Sequence, residues 1–139
     1  MRAGIIATVI VAVVAWLVDG FVYSMVLLPS QEFLDFMEPV MHSEESRPGP
    51  IMWIFYELPR AGVLAFALLQ RPLSMGQSSM YGAVVFFMLW TVANIPMMMW
   101  MNAPADMMMI LGDAVVAAIL GAICGALMTF LFNKLGGAS

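Results

Sequence analysis

Four stretches of this chain, about residues 5–28, 51–70, 79–101 and 107–132, are apolar over twenty or more positions. At about 1.5 Å of rise per residue, a helix of that length crosses a hydrocarbon core of about 30 Å. Lipid offers no water to backbone N–H and C=O groups, so each stretch has to close its hydrogen bonds internally as a helix. The four stretches use most of the 139 residues. The expected fold is therefore all-α: an integral membrane antiparallel four-helix bundle in one domain covering residues 1–139. Composition agrees, with 63% hydrophobic and 10% charged residues, against about 25% charged in soluble domains. The formal net charge of -4 is not the basic footprint of a nucleic-acid binder, and that class is excluded. Cys124 is the single cysteine, which rules out an internal disulfide and any Cys-based metal motif. Arg2 before the first run resembles the start of a signal peptide. The run is too long and lacks a small-x-small cleavage site, so it reads as an uncleaved helix.

Against this apolar background the polar residues stand out. Glu57-Leu58-Pro59-Arg60 in the second stretch puts a carboxylate and a guanidinium on one helix face. Pro59 frees the carbonyl of Phe55, and Pro96 in the third stretch frees that of Val92, so both helices are expected to bend. In the first stretch Ala7, Val11, Ala15, Asp19 and Tyr23 follow one another by four, which aligns an acid with small residues that admit a neighbouring helix. The fourth stretch repeats the pattern with Asp113, Ala117, Gly121 and Gly125, of which Ala117, Gly121 and Gly125 are helix-packing candidates. Trp90 and Asn94 share a face of the third.

Orientation turns these positions into depths. Arg2, Arg71 and Lys134 fall at one side of the bundle and Arg47 at the other, so the positive-inside rule places both termini in the cytoplasm. Asp19 then lies roughly 21 Å from the start of its span, with Asn94 about as far along its own; Glu57 and Asp113 lie roughly 9 Å from the outer side. One polar cluster of Asp19, Glu57, Arg60, Asn94 and Asp113 is expected in the outer half. A lone ionised residue near a helix centre costs about 2.5–3.5 kcal/mol, so grouping is favoured. Three carboxyls against one guanidinium leave a formal charge of -2 if all ionise. Some must then be protonated, or a cation or water must reach them. Such a cluster serves either to specify the helix packing or to bind a proton or cation.

The long connection, residues 29–50, is expected to hold an amphipathic interfacial helix over about 30–41. Ser30 would cap it, Phe33, Leu34, Met37, Val40 and Met41 form its apolar face, and Glu32, Asp35 and Glu38 its polar one. Pro39 would end or bend it. The acidic face suits a protein neighbour better than anionic lipid. His42 reads as a solvated loop residue, since no second histidine exists to share a metal. The links 71–78 and 102–106 are short, which makes spans two and three expected antiparallel neighbours.

Methionine crowds the outer edge at Met97, Met98, Met99, Met101, Met107, Met108 and Met109. Thioethers favour Cu(I), yet consecutive placement scatters them around each helix, and methionine also fills adaptable partner contacts. Phe33, Met37, Met41, Met97, Met98, Met101 and Met108 are candidate partner-contact residues. No cofactor is strongly implied; Cu(I), or a pigment or quinone against Trp16, Phe86, Phe87 and Trp90, are the alternatives. His-x-x-x-His, Gly-x-Ser-x-Gly and phosphate-loop motifs are absent, which leans away from an enzyme.

Asp19-Gly20-Phe21-Val22-Tyr23 closing the first span, the acidic-aromatic linker, Gly82 to Trp90 in the third and Gly112-Asp113-Ala114 opening the fourth together resemble the small four-helix bacterial membrane proteins of the DUF1761 type. The resemblance covers most of the chain. It implies a bacterial inner-membrane protein and carries no activity. The expected function is a non-enzymatic accessory or scaffold subunit in the lipid bilayer, packed against another integral membrane protein or a second copy. The alternative is a small proton- or cation-coupled transporter, or a cation-binding protein, using the charged cluster.

Overall fold

The computed structural model describes residues 2–25, 31–40, 49–71, 73–101 and 107–135. All of its regular elements are helical. In chain order they are α1 (Arg2–Met25), α2 (Gln31–Met37) running into a 3-10 turn (Glu38–Val40), a second 3-10 turn (Pro50–Trp53), α3 (Ile54–Gln70), α4 (Met75–Met101) and α5 (Met107–Leu135). The four long helices form an all-α bundle. Arg2–Met25, Ile51–Gln70, Met75–Ile95 and Ile110–Leu135 are long and apolar enough to cross a membrane.

The largest helix contact joins α4 to α5, followed by α1 with α3 and α1 with α5. The short link between α3 and α4 leads to the expectation that these two pack side by side. They touch over a much smaller surface, because small residues draw each of them elsewhere. On α4 and α5 the attraction is a glycine seam. A Cβ built on Gly82 would overlap the Gly121 carbonyl oxygen, one on Gly121 the Gly82 carbonyl, and one on Gly125 the Ser78 carbonyl. Backbone meets backbone there, as small-xxx-small helix pairs do in lipid. Ala117 continues the α5 face and is buried. At the same seam Thr129 Oγ1 donates to Ser78 Oγ at 2.6 Å, pairing two buried hydroxyls.

On the other side α1 contributes Ala7, Val11, Ala12 and Ala15 to one core with Ala61, Leu64, Ala65 and Leu68 of α3. Phe86, Leu120, Cys124, Met128 and Phe132 complete it from α4 and α5. Isolated hydroxyls elsewhere in the spans bond to their own preceding turn: Thr8 to the Gly4 carbonyl and Thr91 to that of Phe87, both at 2.8 Å.

Three helix limits differ from the sequence reading. α4 starts at Met75, because Ser74 and Gln77 form a capping box: the Ser74 N–H donates to Gln77 Oε1 at 3.1 Å and the Gln77 N–H to Ser74 Oγ at 3.3 Å. Ser78 is thereby a buried helical residue and no part of the link. α5 runs on to Leu135, past the limit of about 132 read from the sequence, with Lys134 Nζ 5.9 Å from the centre of the Phe130 ring. The helix expected at the interface is α-helical over Gln31–Met37 among the described residues, and Pro39 sits in the 3-10 turn that follows. Gln31 Nε2 donates to Asp35 Oδ1 there, at 2.7 Å. Ser30, Met41, His42, Arg47 and the link 102–106 lie outside the described residues.

Candidate functional site

Asp19, Glu57, Arg60 and Asp113 make their polar contacts in one layer, near the ends where α1 finishes and α5 begins. Its centre is Arg60, one turn into α3 beyond Glu57. A single nitrogen, Nη1, donates to Glu57 Oε1 at 2.8 Å and to Asp19 Oδ2 of α1 at 3.2 Å. The guanidinium also lies 4.5 Å from the centre of the Phe86 ring of α4 and 5.0 Å from that of Tyr56, so its faces meet the negative sides of two aromatic rings. Glu57 is 2% exposed and Arg60 7%. The Asp19 side chain is 20% exposed and forms the open edge of the trio.

Asp113 of α5 stands apart from Arg60 in its hydrogen bonding. It accepts from the hydroxyl of Tyr23 on α1, and from Trp90 Nε1 on α4 at 2.5 Å. Neutral donors replace the expected cation. Asn94, expected in the same cluster, turns its Nδ2 back to the Trp90 carbonyl at 3.0 Å, one turn earlier on α4. It buttresses the helix segment that presents Trp90 and bonds to no carboxyl among the described residues.

The layer therefore has two centres. Asp19–Arg60 ties α1 to α3 and Arg60–Phe86 ties α3 to α4; Trp90–Asp113 ties α4 to α5, and Tyr23–Asp113 ties α5 to α1. Phe86 and Trp90 are four residues apart, so one face of α4 serves both centres. Every long helix is joined to two others through this layer, and the circuit closes.

Tyr23, Phe86 and Trp90 are not part of the polar cluster expected from sequence, which puts Tyr23 on the Asp19 ridge and Phe86 and Trp90 among contacts for a pigment or quinone. Their signal was present in the four-residue steps Asp19–Tyr23 and Phe86–Trp90, but aromatic residues at such spacing in a span usually face lipid or pack in the core. Gly121 and Gly125 lie in the α4–α5 seam described above. The side chains of Phe33, Met37, Met97, Met98, Met101 and Met108 lie outside the described residues, as does Met41 altogether. Among the described residues, no three or more His, Cys, Asp or Glu side chains are grouped to hold a metal ion.

Two buried atoms in the trio have no hydrogen-bond partner: Glu57 Oε2 and Arg60 Nε. Buried polar groups are paired in the great majority of cases, and an unpaired one marks a functional or unusual position. Comparison with protein-family models, with curated proteins and with solved structures finds no match.

Proposed function

We propose that this chain is a small non-enzymatic integral membrane protein acting as an accessory or scaffold subunit, packed in the bilayer against a larger membrane protein or a second copy of itself. The observation that carries the reading is the outer surface of the bundle. Phe21 on α1, Phe66 on α3, Met80 and Val92 on α4, and Val115 and Ile119 on α5 are each more than half exposed. A surface of that kind suits lipid and the flanks of other transmembrane helices. Outside the spans, the exposed Glu32, Asp35 and Glu38 offer an acidic contact for a protein neighbour. The resemblance to DUF1761-type proteins suits the same reading, with a bacterial inner membrane as its location. Arg2, Arg71 and Lys134 then put both termini in the cytoplasm. Untagged purification from native membranes in mild detergent tests the reading. A larger membrane protein or a second copy is expected to co-migrate in fixed stoichiometry; recovery only as a free monomer refutes it.

One observation favours a second reading, a small proton- or cation-coupled transporter or cation-binding protein. Asp19, Glu57 and Asp113 share a layer with a single guanidinium, and Glu57 Oε2 is buried without a donor. Proton and cation flux into liposomes, abolished by Glu57→Gln, is the expected result, and no flux above empty liposomes removes the transporter.

A further inference from the structure

We infer that Asp19 and Glu57 form a binding site for one proton, held between Glu57 Oε2 and the Asp19 carboxyl. The inference rests on the second reading above, which takes the charged layer as a binding site, and it names the occupant and the atoms.

The geometry is specific. Both carboxylates are drawn to one nitrogen, Arg60 Nη1, by bonds of 2.8 Å to Glu57 and 3.2 Å to Asp19, which sets the two carboxyls side by side. Glu57 Oε1 is occupied by Arg60. Glu57 Oε2 is buried, lacks a donor and belongs to a residue only 2% exposed. Two ionised carboxylates and one guanidinium leave the trio with one negative charge in a place where a net charge is costly. A proton taken from water forms one O–H bond at Glu57 Oε2 and donates to Asp19, while Arg60 continues to donate to both acids. That single step supplies the missing donor and brings the trio to neutrality.

The surroundings leave this task to the pair itself. From α5, the nearest acid in the layer is Asp113, which already accepts from Tyr23 and Trp90. The Cys124 thiol of α5 is buried in the core and has no positive charge to offer. From α4 the facing group is Phe86, which does not titrate, and from α3 itself Tyr56, a phenol with no positive charge, lies over the guanidinium. Arg60 is the one cation facing the pair among the described residues. Access follows burial: Asp19, at the open edge, is the carboxyl through which a proton reaches Glu57.

Infrared difference spectroscopy of the full chain in lipid vesicles tests this through the carboxylic-acid C=O stretch, followed by pH titration with Glu57→Gln and Asp19→Asn. A shared proton has a distinctive consequence. Either substitution leaves one carboxylate facing Arg60, already neutral, so each alone should remove the whole band. Half of the band lost in each variant means two independent acids and overturns the inference. A band untouched by both and lost in Asp113→Asn overturns it as well. So does a titration that moves when sodium or potassium replaces choline, since the occupant is then a metal cation.

Should neither variant fold, carbon-13 labelling of glutamate carboxyls in the unsubstituted chain gives the same decision. A label-sensitive acid band that exchanges with deuterium more slowly than exposed Glu32 and Glu38 is expected, and its absence refutes the site. Proton flux measured on the same vesicles judges the underlying reading separately. The predicted band without flux keeps the proton site and removes transport; flux with a band unaltered in both variants does the reverse.

Discussion

The α4–α5 seam and the α1–α3 contact solve the same problem in different ways. Between two helices in lipid there is no hydrophobic drive, because the tails are as apolar as the side chains. At the seam, Gly82, Gly121 and Gly125 let the backbones touch, and dispersion over that close contact is the bond. The α1–α3 pair has no equivalent. Gly20 and Gly62 face nothing within 4 Å, and a Cβ on Gly4 would meet only the flexible end of Leu69. There the helices are joined by alanine packing and by the Asp19–Arg60 ion pair. Close approach needs no polar group; wider contact is pinned by one. The ion pair thus joins the two helices that lack a glycine seam.

Removing the pin should have the largest effect. Arg60→Met keeps the bulk but leaves Asp19 and Glu57 facing each other without their cation, and loss of one partner of a buried ion pair costs about 3–5 kcal/mol. Lower yield and a lowered unfolding free energy in detergent are expected, with the α1–α3 contact opening before the seam. A variant of unchanged stability would show that the charged layer is not one structural unit. The comparison would then collapse onto alanine packing alone.

Next comes the seam. Gly121→Ala places a methyl against the Gly82 carbonyl and Phe86 Cβ, and backbone cannot withdraw as a side-chain tip can. Overpacking of this kind costs about 1–3 kcal/mol. Helix–helix distances from paired spin labels on α4 and α5 should increase while those between α1 and α3 hold. If instead both distances grow together, the two regions are one cooperative unit.

How much of this arrangement was readable in the sequence depends on what each feature needs. The spans follow from hydropathy alone. The seam followed on one side, since Gly121 and Gly125 repeat at helical spacing; on α4, Gly82 reads within the span without a partner, and Ser78 is lost to the link 71–78 because the Ser74–Gln77 capping box is missed. Depth arithmetic puts Asp19, Glu57, Arg60 and Asp113 in one layer, but depth is a coordinate along the helix. Which acid Arg60 reaches depends on helix rotation, which no one-dimensional pattern contains. Asp113 finding Tyr23 and Trp90 was illegible for the same reason, because a neutral N–H and O–H satisfy a carboxylate without leaving a charge to notice.

Trp90→Phe tests that neutral pairing. The ring and its packing against Ala114 and Ala117 remain, while the Nε1 donor to Asp113 is lost; interhelical hydrogen bonds in membranes are worth about 0.6–1.7 kcal/mol. A loss within that range, raised little by adding Tyr23→Phe, would show that one donor suffices to hold Asp113. A much larger combined loss would mean that the carboxyl is left bare, and that the α5 end of the layer depends on polar contacts as heavily as the α1–α3 side does.

The smallest effect is expected where both regimes coincide. Thr129→Val removes the hydroxyl that donates to Ser78 Oγ inside the glycine seam, and preserves shape. In a contact already closed by backbone approach the hydrogen bond should contribute only about 0.6 kcal/mol. Equilibrium unfolding of the single and paired variants, Thr129→Val with Ser78→Ala, measures the coupling directly. A coupling as large as that of Asp19 with Arg60 would overturn the division drawn here. The seam would then be pinned by polarity too, and its glycines would serve to bring the two hydroxyls within reach.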